Sequence, residues 1–301
     1  MEAASTKRAL GFGVMAALLF GTHSVIARFL TSDLHGLQIA VVRLWIASAI
    51  LFLILKVQGQ PVFPIRFDKY KLLAIAGFVF NYIFFHVGLE QTSATNGMVL
   101  ENTAPFFVLL MLASAGIERV RRIDVIATIL VMAGVILTVR HDFDPGSTGL
   151  FGDIMMVVAG FTWAIFIIGS TQSVQNTSNP MERLQLLFQI LLVSAVVLTP
   201  GFFLFPFEPT AADMMWLVFL AVFPTAIGYY LWYEAMAGVS TVTAALLFVL
   251  SVVFTFINAA IFLGEELTPG MIIGGVLVIA SVITPSLFGG SDAEKQEDET
   301  A

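Results

Sequence analysis

The sequence predicts an all-α integral membrane protein with ten transmembrane helices, arranged as two inverted five-helix repeats. Three observations lead to this fold class. First, 58% of the residues are hydrophobic and only 12% are charged, whereas soluble domains carry about 25% charged residues. Second, apolar stretches of membrane-spanning length follow one another along almost the whole chain. Third, the two halves of the chain match each other at a fixed offset.

The apolar stretches are each close to the roughly 20 residues that an α-helix needs to cross a hydrocarbon core about 30 Å thick. Charged residues and Pro- or Gly-containing breaks separate them. The predicted spans are 9–30, 37–57, 70–89, 95–115, 123–139, 149–171, 183–204, 211–234, 241–263 and 269–288. Barrel strands alternate in polarity, but these stretches are apolar on every side, so we interpret them as helices.

Positively charged residues predict the orientation in the membrane. Placing the N-terminal segment 1–8 in the cytoplasm puts eleven Lys and Arg residues on the cytoplasmic side and only Arg140 in an outer loop. Arg28 and Arg43 lie within predicted helices. An even number of helices returns the acidic segment 289–301, predicted to be a disordered tail, to the cytoplasm.

An internal repeat appears when the chain is shifted by 147 residues against itself. The pairs aligned by this shift include Tyr82 with Tyr229, Glu118 with Glu265 and Val135 with Val282. A slightly smaller shift pairs Phe20 with Trp163. The repeats, 9–140 and 149–288, each contain five predicted helices, and an odd number places the second copy upside down. Inverted repeats are typical of carriers that work by alternating access.

Segments 97–120 and 244–267 resemble the helix-four region of EamA-type proteins in the drug/metabolite transporter superfamily. The shared pattern is a Pro followed by a run of small residues that ends near Gly-Glu. Pro105 and Glu118 fill it in the first half, and Gly264 and Glu265 fill it in the second.

Other positions support or depart from this resemblance. Arg43 matches an Arg of the second helix in the family, and Trp163 matches an aromatic residue of the sixth. Val252 stands where the second half would carry its Pro, and Ile117 stands where the first half would carry its Gly. The resemblance extends over essentially the whole chain.

The resemblance implies ten helices around a central cavity that is lined by the first, third and fourth helices of each half. It also implies a multi-pass protein of the bacterial inner membrane with both termini in the cytoplasm. Family members carry amino acids, other metabolites, nucleotide sugars or drugs. Bacterial amino-acid exporters of the YddG type are the named group that this sequence resembles.

Polar and aromatic residues within the spans are the candidate substrate-binding residues, because a charge at the centre of a membrane helix costs roughly 2.5–3.5 kcal/mol. The candidates are Tyr82, His86, Trp163, His23, Asn81, Glu101, Asn102 and Tyr229. Tyr82 and His86 share one face of the third span at a spacing of four. Trp163 lies near the middle of the sixth span, away from the interfacial aromatic belts. The alternative interpretation is that these side chains only satisfy contacts between helices.

Three residues of the second and fourth spans have further predicted roles. Glu101 is either a proton-coupling carboxylate or one half of an ion pair. Its partner would be His86 or Arg43, which is predicted to be a structural charge. Pro105 removes a backbone hydrogen bond and is predicted to act as a hinge.

Several classes of site are not expected. There is no Gly-Lys dipeptide and hence no phosphate-binding loop, so no ATPase activity is implied. Cysteine is absent, and His86 with Glu90 lacks a third ligand, so neither a metal nor another cofactor is expected. No basic face suits nucleic acid. The expected partners are the lipid bilayer and a small-molecule substrate.

The predicted function is therefore a secondary carrier that exports small metabolites, amino acids above all, with broad selectivity. Drugs and other metabolites remain alternative substrates. An intramembrane enzyme would need a close protonatable pair such as His86 with Glu101, and we do not expect enzymatic activity. A passive channel would display rings of carbonyls or charges.

Overall fold

The computed structural model describes residues 2–30, 34–89, 91, 100–139, 149–263 and 267–298. Within these ranges the chain is helical apart from short connections and contains no strand. The helices are α1 (Glu2–Leu30), α2 (Gly36–Val57), α3 (Lys69–Leu89), α4 (Ala104–Ala115), α5 (Arg122–Val139), α6 (Leu150–Gln175), α7 (Pro180–Phe202), α8 (Ala211–Met236), α9 (Thr241–Leu263) and α10 (Pro269–Asp298).

Six helices in the described ranges are long and apolar enough to cross a membrane: α2, α3, α6, α7, α8 and α9. Two shorter apolar helical segments, Ala104–Ala115 and Pro269–Pro285, accompany them. The chain is therefore an all-helical membrane protein, as the sequence predicted.

The fourth predicted span, 95–115, is interrupted. Its first part, 95–99, lies outside the described residues, and the helical backbone at Glu101 gives way to a turn before α4 begins. The Thr103 hydroxyl donates to the carbonyl of Leu100 at 2.6 Å and so gives that carbonyl a hydrogen-bond partner at the break. Pro105 occupies the first turn of α4, where a missing N–H costs nothing. The break thus lies just before the predicted hinge residue.

Helix α8 contains a second irregularity, a π-helical segment at Ala221–Ile227. Pro224 lies inside it and cannot donate to the carbonyl four residues earlier. That carbonyl belongs to Leu220, and it accepts a hydrogen bond of 2.7 Å from the Thr225 hydroxyl instead. The hydroxyl thereby replaces the backbone donor that Pro224 lacks.

Helix α10 continues to Asp298, whereas the sequence predicted a disordered tail from residue 289. The helical backbone of this segment has a local reason. Glu294, Lys295, Gln296 and Glu297 are all good helix formers, and they directly follow the apolar part of the helix.

Helices α3 and α6 form the most extensive helix pair of the structure. Their backbones approach closely at glycines. A Cβ atom at Gly169 would lie 2.5 Å from the Ala74 nitrogen and 2.7 Å from the Tyr70 carbonyl oxygen. A Cβ atom at Gly77 would likewise meet the backbone of Phe166. Small residues of this kind permit the close packing that drives helix association in lipid.

The other extensive contacts also join helices 1–5 to helices 6–10. Helix α5 packs on α10, α1 packs on α8 and α9, and α2 packs on α7. Polar groups reinforce the last pair, since the Gln38 amide donates to the carbonyls of Phe205 and Pro206, at 2.9 and 3.0 Å, beyond the end of α7. The core is therefore formed between the two halves of the chain.

We expect Gly169→Ala to destabilise the protein, because its new methyl group would meet backbone atoms that have no room to move. Overpacking of this kind costs about 1–3 kcal/mol. Gly11→Ala is the matched control, since nothing lies within 4 Å of its Cβ position and alanine favours a helix. Thermal unfolding in detergent measures both variants. Equal transition temperatures for the two would contradict the close α3–α6 contact.

Candidate functional site

Arg43 is the centre of a buried polar cluster. It lies seven residues into α2, about 10 Å along the helix axis, and is 7% exposed. Its Nη1 group donates to His23 Nε2 on α1, and its Nη2 group donates to the Tyr82 hydroxyl on α3. Because a guanidinium group has no acceptor, His23 Nε2 must accept with its lone pair. Arg43 thus ties three helices of the first half together.

Tyr82 extends this cluster into the second half of the chain. Its hydroxyl accepts from Arg43 and lies beside the hydroxyl of Tyr229 on α8. The guanidinium carbon of Arg43 also lies 5.3 Å from the centre of the Tyr82 ring, within the range of a cation–π contact. Both tyrosines are buried. The sequence predicted Tyr82, Tyr229 and His23 separately, and the structure brings them together.

A cluster of aromatic rings adjoins these tyrosines. Phe78 lies 4.6 Å from Tyr82 and 5.7 Å from Tyr229, measured between ring centres. Trp163 of α6 and Trp232 of α8 stack at 5.9 Å with their planes 8° apart. The Nε1 donors of both tryptophans are buried and have no hydrogen-bond partner in the part of the chain that the structure describes. Buried polar groups are usually paired, so two adjacent orphan donors require an explanation.

His86 lies on the outer side of the cluster according to the predicted orientation. A Cβ atom added at Gly36 would overlap its imidazole, so the ring lies against the first turn of α2. His86 interacts electrostatically with Arg43, His35 and His23. His23 and His86 therefore both lie near the buried guanidinium group of Arg43.

Glu101 does not form the ion pair with Arg43 or His86 that the sequence offered as one alternative. The Asn81 side chain lies beside its carboxyl group instead, and Asn81 donates to the Ala159 carbonyl at 3.0 Å. The physical reason is that the close approach of Glu101 to Gly160 holds it against α6. Glu101 and Asn81 thus form a separate polar contact against α6.

Asn102 is buried beside this contact, directly before α4. A Cβ atom at Gly160 of α6 would lie 2.8 Å from the Glu101 carbonyl oxygen. Close approach at this glycine therefore places residues 100–103 against α6 and near Trp163. Asn81, Glu101, Asn102 and Trp163 lie in one region of the structure.

Sequence reasoning missed part of the aromatic cluster. The residues that it did not single out are Phe20, Phe78, Phe166, Trp232 and Phe248, all in ring contact with predicted site residues. A usable signal was present, because Trp232 follows Tyr229 at a spacing of three on one helical face. With 28 phenylalanines in the chain, no pattern could distinguish ring-cluster residues from lipid-facing ones.

Comparisons with known proteins agree with this architecture. The EamA-like transporter family matches residues 7–140 and again residues 150–286. An uncharacterized transporter of Archaeoglobus fulgidus is 29% identical over 219 residues, which are 70% of this chain and 73% of that protein. A probable amino-acid metabolite efflux pump of Salmonella typhimurium is 22% identical over 92% of this chain and 93% of its own length.

A protein of the same name from Escherichia coli K12 is 22% identical over 92% of this chain and 95% of its own length. A solved crystal structure with 17% sequence identity covers 93% of the chain with a TM-score of 0.77, which supports the fold. Fold, site and family matches together define a membrane transporter. The chain belongs to the EamA-like transporter family, within the drug/metabolite transporter superfamily.

We expect Tyr82→Phe and Tyr229→Phe to be energetically coupled, because the two hydroxyls lie side by side next to Arg43. Removing the Tyr82 hydroxyl leaves a charged donor unsatisfied, at a cost of about 1–3 kcal/mol. A double-mutant cycle on thermal stability should give an interaction energy of about 0.5–3 kcal/mol. The control cycle pairs Tyr70→Phe with Tyr229→Phe. Equal interaction energies in the two cycles would contradict the contact between Tyr82 and Tyr229.

Proposed function

We propose that this protein is a secondary transporter that exports small metabolites, amino acids above all, by alternating access. The observation that carries the proposal is the position of the buried cluster. Helices α1, α2 and α3 of the first half contribute His23, Arg43 and Tyr82, and helices α6 and α8 of the second half contribute Trp163 and Tyr229. A site shared by both halves changes its exposure when the halves move relative to each other.

The inverted repeat is part of this proposal, with repeats at 9–140 and 149–288. The double match to one family supports a duplication. So does a pair of equivalent contacts between the halves. Gly13 approaches Leu247, and Gly160 approaches Leu100, and 147 residues separate both the two glycines and the two leucines. An odd number of helices in each repeat then inverts the second copy.

The substrate class draws on the relatives and on the chemistry of the cluster. Two relatives bear the name of probable amino-acid metabolite efflux pumps. Hydrogen-bonding groups beside apolar rings suit a ligand with a polar head and an apolar body. The side chains of Tyr82, His86, Trp163, His23, Asn81, Glu101, Asn102 and Tyr229 are proposed to contact it during transport.

The remaining parts of the proposal concern movement and location. The break before Pro105 is suited to a hinge, because the helix there lacks continuous backbone hydrogen bonds. The protein is placed in the bacterial inner membrane with both termini in the cytoplasm. It is a carrier rather than an enzyme, in keeping with the transporter family to which it belongs.

We expect purified protein in liposomes to show saturable counterflow of radiolabelled amino acids, which a passive pore would not show. Trp163→Leu should lower the initial rate about tenfold or more, because it removes a ring that contacts both halves, and tenfold corresponds to about 1.4 kcal/mol. Trp45→Leu is the matched control, since Trp45 is 41% exposed on the outside of α2.

Two results of this transport experiment would count against the proposal. Wild-type protein that moves no member of an amino-acid and metabolite panel would remove the transport function. Flux that rises linearly with concentration, without counterflow, would replace the carrier with a pore. Equal losses in the two tryptophan variants would remove the central site from the mechanism.

The inversion is tested by cysteine labelling, because the natural chain contains no cysteine. Gln58→Cys follows α2 and Pro209→Cys precedes α8, so the two residues occupy equivalent connections in the two repeats; Gln58 is exposed and Pro209 is partly exposed. We expect a membrane-impermeant maleimide to label position 209 in intact cells and position 58 only after permeabilisation. Labelling of both from the same side would show that the repeats share one orientation.

A further inference from the structure

We infer that Arg43 is an anchor for a substrate carboxylate, so the cargo of this transporter is a small organic carboxylate with an apolar body. This inference rests on the proposed transport function and narrows its substrate class. It assigns to Arg43 a binding role in addition to the structural role that the sequence predicted.

The first argument is the charge of the cluster. Arg43 is nearly inaccessible, yet its hydrogen bonds in the described part of the chain go only to the neutral acceptors His23 Nε2 and Tyr82 OH. None of the described carboxylates contacts it. A buried charge without a counter-ion is strongly unfavourable, and charges kept inside membrane helices usually serve substrate or ion binding.

The second argument is an unused donor. Nε of Arg43 is buried and has no hydrogen-bond partner among the described residues. The neighbouring Nη2 group carries two hydrogens, and Tyr82 accepts only one of them. Nε and the second Nη2 hydrogen form one edge of the planar guanidinium group. A carboxylate binds such an edge through two parallel hydrogen bonds.

The third argument is the nature of the surroundings. His86 adds a polar group near Arg43 without adding negative charge. On the other side, Phe78 and Tyr229 connect Tyr82 to the stacked pair Trp163–Trp232. The orphan Nε1 donors of this tryptophan pair are further groups without a partner inside the protein. The cluster thus offers a cationic end and an aromatic wall, which matches an anionic head on an apolar body.

The same geometry links binding to movement. Tyr82 accepts from Arg43, and its hydroxyl lies beside that of Tyr229 in the second half. A carboxylate that occupies the free edge of Arg43 competes for Nη2 and thereby acts on the contact between the halves. A neutral analogue of the same shape has no such competing charge.

The test measures binding to wild-type protein in detergent by quenching of tryptophan fluorescence. The probes are L-leucine, L-leucinamide and 4-methylpentanoate, which differ in the carboxylate or in the amino group. We expect L-leucine and 4-methylpentanoate to bind at least about tenfold more tightly than L-leucinamide. The inference is overturned if L-leucinamide binds as tightly as the carboxylates or if neither carboxylate binds. Because this test uses only wild-type protein, it does not depend on whether a variant folds.

Variants then assign the effect to Arg43. Arg43→Gln should weaken binding of both carboxylates about tenfold or more and leave L-leucinamide nearly unchanged, and Arg43→Lys should recover part of the loss through its charge. Arg183→Lys is the matched control, because Arg183 is also largely enclosed, with 13% of its side chain exposed, but is paired with Glu234 at 2.7 Å. Unchanged carboxylate preference in Arg43→Gln, or an equal loss of preference in the control, contradicts the assignment.

Transport of the same probes separates this inference from the proposed function. Carboxylate-dependent binding without any transport would contradict the proposed carrier function and support the carboxylate site at Arg43. Transport of L-leucine and L-leucinamide at equal rates would support the carrier function and contradict the carboxylate site at Arg43.

Discussion

The close approach of α3 to α6 at glycine is the constraint on which the centre of this protein depends. In a bilayer, lipid tails are as apolar as leucine, so helices associate through tight packing and hydrogen bonds rather than through exclusion from water. Gly77 and Gly169 let the two backbones meet. As a result, Phe78 and Tyr82 of one helix lie against Trp163 and its neighbours on the other, and a few polar groups become enclosed together.

Enclosure explains why the polar groups of this centre form one connected chain. Without water, polar groups depend on partners within the protein, and α1, α2 and α3 each supply one member of the hydrogen-bonded chain His23–Arg43–Tyr82, which lies beside Tyr229 of α8. A chain that adjoins the second half is sensitive to the relative position of the two halves. The same groups therefore stabilise the present conformation, and their contacts change when the two halves move relative to each other.

The sequence predicted the helices well, because apolar length alone defines a membrane helix. It also predicted Tyr82, His23, Trp163 and Tyr229, since polar and aromatic residues at mid-span stand out against an apolar background. It did not predict which of them would meet. The choice of Asn81 rather than Arg43 as the partner of Glu101 depends on helix rotation and depth, which are set by packing between distant segments and leave no local pattern.

The π-helical segment of α8 has a consequence for how this helix tolerates change. A π segment holds one residue more than an α-helix of equal length, and each residue turns the helix by about 100°. The segment thus absorbs one extra residue, and Tyr229 and Trp232 keep the direction that they would have in an uninterrupted α-helix one residue shorter. Deleting one residue within the segment would therefore leave a regular α-helix with both aromatic rings still facing the centre, whereas the same deletion in an uninterrupted α-helix would turn the residues beyond it by about 100°.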